Sequence, residues 1–345
     1  MAALVSRGLA TEPLRWALVG ASTVAGAYMA SALSSAAGSE LTGIASGDLD
    51  RASRFAAEHN LSRAYRSLED VWADPEVDAV YISSINTLHA PQTIAAAEAG
   101  KHVLCEKPLA TTVSDAAAMI NACQVAGVLL GVNHNLRCAP ANMTARRLIA
   151  DGRLGSVLSA RVLHAQALPP ALRRWRTRDP SAGGGAALDI TVHDADLLRY
   201  LLADEVTEVT ALLAARASDT VGVEDTVAGV MRFSRGALAS FHDSLVVPWS
   251  HTSLSIHGED GALYIEDAMA DDPIARLTLT DSRGSHEIST SATQGLYDGV
   301  VEAFTAAARG LGQLAATGED GLRAVEIATA AMQAATLGQT VSIGT

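Results

Sequence analysis

The chain has 345 residues, of which 49% are hydrophobic, and a formal net charge of −13. Its length predicts two domains, each with its own apolar core. The negative charge argues against a nucleic-acid partner, which would need a clustered positive surface, and the apolar runs are too short to cross a membrane. Residues 1–13 predict a disordered leader and not a signal peptide, so we expect a cytoplasmic protein whose three cysteines are reduced and buried.

Residues 14–137 alternate short apolar strands with alanine-rich helices. The predicted strands are WALVG, ELTGIAS, DAVYISS, KHVLCEK and GVLLGVNH, and helices at Leu49–His59, Pro91–Ala99 and Val113–Ala126 fit between them. Near-continuous apolar strands separated by helices indicate a parallel sheet that is covered on both faces. We therefore predict a doubly wound α/β domain of the Rossmann type.

Residues 138–345 show a different pattern. After a linking helix at ANMTARRLIADGRLG, segments from SVLSARVLHAQAL to ARLTLTDSRGSHEIS alternate with period two and are joined by Arg-Gly or Asp-Gly turns. The helix AALDITVHDADLLRYLL interrupts them, and residues 297–337 are again helical. This pattern predicts an α+β domain with an open-faced, mostly antiparallel sheet, whose exposed face offers a surface for homo-oligomer formation. A ligand cleft is expected between the domains, at the carboxyl ends of the parallel strands.

The first predicted strand runs into the turn GASTVA, a variant of the dinucleotide-binding fingerprint G-x-G-x-x-G. Gly20 is intact, but Ser22 and Ala25 replace the second and third glycines. Alone, the motif fits an ordinary strand-to-helix turn as well as a cofactor site. As a cofactor site it would use Gly20, Ser22, Thr23 and Val24, with the Ser22 hydroxyl donating to the pyrophosphate.

Two further clusters contain candidate catalytic residues. The segment VLCEKPLA places Glu106 and Lys107 at the end of a parallel strand, where ligands of such sheets bind, although a solvated loop pair is the alternative. In the helix at DITVH, Asp189 and His193 are four residues apart and share a face. A histidine beside a carboxylate is a candidate proton donor near neutral pH, but such pairs are also common structural contacts. No second histidine lies at metal-ligand spacing, so no metal is expected.

The motifs VGASTVA, NTLHA, AGKHVLCEKPLA, NLRCAP, GGGAALDITVHDADLL and VEDTVAGVMRFSRG occur in this order. In this order the chain resembles the glucose-fructose oxidoreductase, inositol dehydrogenase and MocA family, from residue 14 to residue 343. The resemblance implies a Rossmann domain followed by an open-faced sheet that binds substrate and often mediates oligomerisation. It also implies active-site roles for Lys107, Asp189 and His193, and places Trp175 and Arg176 near the cofactor.

Two positions depart from the usual pattern of that family. Thr191 replaces a glycine between the aspartate and the histidine, a departure shared with NADPH-dependent reductases of sugar-like ketones within the family. Ile85 replaces a common proline, which leaves Asn86 and His89 as candidates on the cofactor side. The other expected contacts are Ser84 and Glu106 for the cofactor, and Lys107, Arg137, His164, Asp189 and His193 for the substrate.

The end of the second strand, GIASGDLDR, bears on which dinucleotide binds. NAD enzymes place an acidic residue there, which accepts hydrogen bonds from the ribose 2′-hydroxyl and would repel a 2′-phosphate. By the family resemblance Ser46 occupies this position, and Arg51 follows where it can reach a phosphate. A hydroxyl and a guanidinium suit NADP(H). The alternative is Asp48 as the ribose ligand, with NAD as cofactor.

These observations predict an oxidoreductase that transfers hydride from NADPH to the ketone carbon of a polyhydroxylated, sugar-like substrate. His193 would supply the proton, Asp189 would orient it and bind substrate hydroxyls, and Lys107 would stabilise the developing alkoxide. One alternative is another reaction of the same family: oxidation of a sugar or cyclitol alcohol, or reduction of an imine or diketone. The other is a dinucleotide-binding sensor without catalysis, which would have no need of a proton donor.

Overall fold

The structure of the chain is a computed structural model that describes residues 12–217, 221–269, 275–290 and 295–344. Most of the predicted leader, residues 1–11, therefore lies outside the described residues. The chain divides into two compact units. The first comprises the described residues within Met1–Asn135 and Gln294–Leu322, and the second those within Leu136–Thr293 and Arg323–Thr345.

The sheet of the first unit is parallel throughout the described residues. Its strands are β1 Leu14–Val19, β2 Ser39–Ala45, β3 Arg63–Tyr65, β4 Ala79–Ile82, β5 His102–Cys105 and β6 Leu130–Val132. They lie in the order β3-β2-β1-β4-β5-β6, which is the order of the Rossmann fold. The prediction of a doubly wound parallel sheet is confirmed, whereas β3 has only three residues and was not predicted.

Three of the five helices between the strands of this unit begin at polar caps. The five helices are α1 Ala30–Ser35, preceded by a π-helical turn at Ala25–Met29, and then α2 Leu49–Glu58, α3 Leu68–Ala73, α4 His89–Glu98 and α5 Val113–Ala126. Asp48, Ser67 and Thr112 each accept a hydrogen bond from a backbone N–H of the first turn, in α2, α3 and α5 respectively. Each cap satisfies a donor that the helix itself leaves open. Helix α4 starts two residues before the predicted Pro91, because proline is tolerated in a first turn.

The second unit contains a large mixed sheet. Its elements are α6 Pro140–Ala150, β7 Val157–Ala165, α7 Pro170–Arg173, a π-helical turn at Ala187–Thr191, α8 Val192–Leu202, β8 Val206–Ala214, β9 Thr226–Phe233, β10 Leu238–Ser244, β11 Ser253–Gly258, β12 Gly261–Glu266, β13 Arg276–Asp281 and β14 Gly284–Ile288. Further along the chain come α9 Leu296–Ala308, which belongs to the first unit, α10 Gly318–Leu337, and the strand β15 Val341–Ser342 of this sheet. The strand order is β14-β13-β12-β11-β7-β10-β9-β8-β15.

All the strand pairs of this sheet are antiparallel except that of β7 with β10, which confirms the predicted mostly antiparallel sheet. Along β10 the side chains of Ala239, Phe241 and Asp243 are buried, while those of Ser240 and His242 are exposed. This alternation follows from the two-residue period of a strand and buries one face of the sheet. Self-association through the other face stays a prediction. No helix among the described residues is long and apolar enough to cross a bilayer.

The segment that contains α9 packs on the first unit. The ring of Phe304 lies 4.9 Å from that of Trp16 in β1, and both side chains are almost fully buried. Gly131 in β6 makes room for Phe304, since a Cβ there would lie 3.0 Å from its ring. The sequence predicts a single domain over residues 138–345, but in the structure these aromatic contacts place the segment around α9 in the first unit.

Replacing Phe304 by alanine should therefore destabilise the first unit. Loss of a buried phenylalanine costs about 3–5 kcal/mol in free energy of unfolding, because its contacts are lost and a cavity remains. Urea unfolding followed by tryptophan fluorescence, to which Trp16 contributes, measures the change. Val125→Ala, on the exposed side of α5, is the control and should change the same free energy by less than about 0.5 kcal/mol. Equal effects of the two substitutions would contradict the placement of α9.

Candidate active site

Gly20 lies at the point where β1 turns into the first helix. Its φ is +103°, a conformation that side chains with a Cβ rarely adopt. A Cβ at this position would lie 2.9 Å from the backbone nitrogen of Ser84. Since the obstacle is backbone, it cannot move aside as a side chain could. The turn therefore requires the one glycine of the fingerprint that the sequence retains.

Ser22 holds the same turn together. Its Oγ accepts a hydrogen bond from the backbone N–H of Ala25 at 3.0 Å and donates to Ser83 Oγ at 2.9 Å. The hydroxyl hydrogen that we expected to reach a pyrophosphate is thus directed at Ser83 in this structure. Thr23 is exposed and Val24 half-buried at the start of the helix, and Ala25 is fully buried against the core. The contacts of Ser22, Thr23 and Val24 with a cofactor stay predictions.

The two candidate ribose ligands after β2, Ser46 and Asp48, have different contacts in the structure. Asp48 is the N-cap of α2, and its Oδ1 accepts from the backbone N–H of Arg51 at 3.1 Å. This hydrogen bond lowers the pKa of Asp48. Ser46 follows β2 directly and is half-buried, and the side chain of Arg51 is exposed. The helix start therefore accounts for Asp48 without a ribose, whereas Ser46 has no such structural use among the described hydrogen bonds.

His89 joins the turn after β4 to the loop after β5. Its Nδ1 lies 2.8 Å from the carbonyl oxygen of Pro108, and its Nε2 lies 3.2 Å from that of Ser84. Burial lowers the pKa of His89, so the neutral ring donates from one nitrogen, and the shorter contact indicates Nδ1. Ser84 Oγ donates to Gln92 at 2.7 Å, and Asn86 is buried beside them. The observed contacts of His89 serve the fold, and the cofactor roles of these three residues stay predictions.

The loop after β5 is held by a buried carboxyl group. Glu106 accepts hydrogen bonds from the hydroxyl of Tyr81, from Asn133 Nδ2 at 2.5 Å, and from the backbone N–H of Lys107 at 3.2 Å. Burial nevertheless raises the pKa of Glu106 above its usual range. The solvated loop pair that we considered from the sequence is thus not what the structure shows. Glu106 fixes the backbone from which the half-buried side chain of Lys107 extends.

In the second unit, Asp189 and Arg176 are brought together. Arg176 Nε lies 3.4 Å from Asp189 Oδ2, and its guanidinium carbon lies 4.5 Å from the centre of the Trp175 ring. Asp189 belongs to the π-helical turn that precedes α8, and such turns are frequent at functional sites. The structure therefore links two residues predicted for the cofactor, Trp175 and Arg176, to one predicted for catalysis.

His193 and His164 lie in the same region of the second unit. Their ring centres are 6.1 Å apart, with His193 half-buried in the first turn of α8 and His164 buried on β7. The two predicted substrate-binding histidines are thus neighbours. Arg137, by contrast, forms a buried two-point ion pair with Asp196 at 2.8 and 2.6 Å and stacks over Tyr200. These contacts stabilise the fold, and a substrate contact of Arg137 stays a prediction.

Sequence reasoning did not assign roles to several buried polar residues of these clusters. Asp194 Oδ1 lies 2.7 Å from His164 Nδ1, and Thr191 Oγ1 donates to Asp243 Oδ2 at 2.5 Å. Tyr81 and Asn133 hold Glu106 in the first unit. A signal existed for Asp243, because the alternation in ALASFHDS places it on the buried side of its strand. Tyr81 lies on β4 and Asn133 directly follows β6, so no local pattern connects them to Glu106.

Two family models match the chain. One, described as an oxidoreductase family with an NAD-binding Rossmann fold, matches residues 14–134, and the other, the GFO/IDH/MocA C-terminal domain, matches residues 142–264. The chain belongs to the Gfo/Idh/MocA family of oxidoreductases. The resemblance stated from the sequence is therefore confirmed.

Individual relatives cover nearly the whole chain. The 1,5-anhydro-D-fructose reductase of Ensifer adhaerens is 43% identical over 331 residues, which are 96% of this chain and 99% of that protein. Among solved structures, the aldose-aldose oxidoreductase of Caulobacter crescentus, complexed with glycerol, has a TM-score of 0.89 at 26% identity and covers 96% of this chain and 100% of that one. A levoglucosan dehydrogenase complexed with NADH and levoglucosan has a TM-score of 0.87 at 25% identity, with 97% and 100% covered.

The buried His89 should make the free energy of unfolding depend on pH. Because its folded-state pKa is lowered, the unfolded chain takes up a proton first as pH falls below about 6.5, and the free energy of unfolding decreases. One such proton contributes at most about 1.4 kcal/mol per pH unit. His89→Gln should show a smaller loss between about pH 7 and 5 than the unsubstituted chain in urea unfolding. His257→Gln, on the sheet of the second unit, is the control; parallel pH curves for His89→Gln and the parent would contradict a buried neutral His89.

Proposed function

We propose that this chain is an NADPH-dependent reductase of a sugar-like ketone, with 1,5-anhydro-D-fructose as substrate and 1,5-anhydro-D-mannitol as product. The observation that carries this proposal is the 43% identity to the Ensifer adhaerens reductase over nearly the full length of both chains. The levoglucosan dehydrogenase of Pseudarthrobacter phenanthrenivorans, at 34% identity, matches only 62% of this chain. The reduction is therefore favoured over oxidation of a sugar alcohol.

The first unit has features that fit a dinucleotide. The backbone of Ser84 lies so close to Gly20 that a Cβ at Gly20 would clash with it. The helix that follows has backbone N–H groups at its start, which can bind a phosphate. Ser46 in place of an acidic residue, with the exposed Arg51 five positions later, suits a ribose 2′-phosphate. When bound, the nicotinamide supplies the hydride for the reduction.

The residues of the chain supply charge and a proton. The ammonium group of Lys107 stabilises the negative charge that grows on the carbonyl oxygen of the substrate. His193 donates the proton to that oxygen as general acid. Asp189, held by Arg176, accepts hydrogen bonds from substrate hydroxyls and orients His193. A sensor without catalysis would not require a lysine whose loop is fastened by the buried Glu106.

Cofactor choice can be tested at Ser46. The parent chain should have a higher kcat/KM with NADPH than with NADH, and Ser46→Asp should lower the NADPH to NADH ratio by about tenfold or more. A lost charge-assisted hydrogen bond of about 1.5–3 kcal/mol, together with like-charge repulsion, accounts for that size. Asp48→Asn is the matched control and should leave the ratio within about twofold, since Asp48 caps α2. A parent preference for NADH, or a collapse of the ratio in Asp48→Asn, would favour Asp48 as the ribose ligand.

The proton donor can be tested at His193. His193→Asn should lower kcat for reduction of 1,5-anhydro-D-fructose by about 10²–10⁴-fold and leave the KM for NADPH nearly unchanged, because only proton transfer is removed. Absorbance of NADPH measures the rate. His257→Asn substitutes a histidine of the same unit that contacts Tyr264 and serves as control. Turnover near the parent value in His193→Asn would assign the proton to Lys107 or to water.

A further inference from the structure

Behind His193, the second unit contains three buried titratable side chains on three different elements. His164 lies on β7, Asp194 on α8 and Asp243 on β10; the exposed fractions are 5% for His164 and 0% for both carboxyls. His164 and Asp243 are lateral neighbours in the parallel pair of β7 and β10. His164 Nδ1 lies 2.7 Å from Asp194 Oδ1, and Thr191, three residues before Asp194, donates to the carboxyl group of Asp243.

The hydrogen bonds of this cluster leave one oxygen of each carboxyl group without a donor. Asp194 Oδ1 faces His164, and Asp243 Oδ2 accepts from Thr191 Oγ1 at 2.5 Å. The other two oxygens, Asp194 Oδ2 and Asp243 Oδ1, are buried, and no N–H or O–H group of the described residues donates to either. Two buried oxygens without a donor are unfavourable, and one proton carried by either carboxyl group supplies the missing donor.

The repulsion between the two carboxylate charges also indicates that the pair carries one proton. Two neighbouring buried carboxyl groups do not both ionise readily, because each negative charge destabilises the other. Burial raises the pKa of Asp194 to about 7, and burial together with the charge of Asp194 raises the pKa of Asp243 well above its usual range. With one proton the pair keeps one negative charge, which favours a donating Nδ1–H on His164.

We propose that Asp194 and Asp243 share one proton at neutral pH and act as positioning residues for His164. Their common negative charge holds the Nδ1–H of His164 on Asp194, so that Nε2 carries the lone pair. His164 then accepts a hydrogen bond from a hydroxyl of the substrate, next to the proton donor His193. This last step rests on the proposed function, whereas the shared proton and the tautomer do not.

Two side chains of the described residues contact the pair. Thr191, at the end of the π-helical turn before α8, donates to Asp243, and His164 on β7 contacts Asp194. The charged groups that act on Asp243 are Asp194 and His164. A change in the protonation of the pair should therefore alter the hydrogen bond of His164 with Asp194.

Infrared spectroscopy tests the shared proton directly, on the unliganded chain at about pH 7.5, far above the usual pKa of an aspartate. The parent should show one C=O band of a protonated carboxyl group that is absent from Asp194→Asn and from Asp243→Asn. The double variant should lose no further band relative to either single variant. The proposal would be overturned if the single variants kept the C=O band, or if the double variant lost a second band. Asparagine has nearly the same shape as a protonated aspartate, so the fold should be retained.

Nitrogen NMR of histidine-labelled parent chain tests the tautomer without relying on these variants. The imidazole signals of His164, assigned by their absence in His164→Gln, should be those of a neutral Nδ1–H ring at about pH 7. A Nε2–H ring or an imidazolium would overturn the proposal.

Kinetics then test the positioning role. Asp194→Ala should raise the KM for the ketone about tenfold without changing the KM for NADPH, and Asp194→Asn should restore most of that loss, because its amide oxygen can accept from His164. An unchanged ketone KM in Asp194→Ala would remove the positioning role. If the parent reduces no ketone, the proposed function fails, while the infrared and NMR results still decide the state of the pair.

Discussion

The cost of burying a carboxyl group is the constraint on which the buried polar clusters of each unit depend. A carboxyl removed from water must be hydrogen-bonded, paired with a cation or protonated. Glu106 accepts hydrogen bonds from three donors, Asp196 is paired with Arg137, and Asp194 contacts His164. Each solution ties together segments that are far apart in the chain. The residues proposed for chemistry extend from backbone that these buried groups hold in place.

The turn after β1 depends on the close approach of its backbone to the backbone that follows β4. Gly20 lies against the backbone of Ser84 and has a positive φ, so it is the fingerprint position that cannot be substituted. The second position allows a serine because Ser22 caps the helix and bonds to Ser83. The third allows alanine because Ala25 packs in the core without displacing neighbours. A fingerprint with one glycine is therefore compatible with the strand order and turn geometry of the Rossmann fold.

Much of this fold could be predicted from local pattern, and the failures have physical causes. Strands β1, β4, β5 and β6 are mainly apolar, β2 ends in a buried apolar stretch, and α2 and α5 begin at clear caps, so each is specified by its own residues. The three-residue β3 has too few positions to show a period. The position of α9 in the first unit depends on Phe304 meeting Trp16 and Gly131, which no local pattern reveals. The pairing of the Arg137 guanidinium with Asp196, 59 residues away along the chain, is likewise a contact that no local pattern reveals.

The sequence by itself determined the two sheets, the family and the identities of the candidate catalytic residues Lys107, Asp189 and His193. It could do so because strand periodicity, helix caps and motif order are local properties of the chain. Only the tertiary structure decided the partners of those residues. The pairing of Asp189 with Arg176 and that of Asp194 with His164 arise where separate elements meet, and burial there raises the pKa of Asp194. Such contacts are set by packing in three dimensions, which spacing along the chain does not encode.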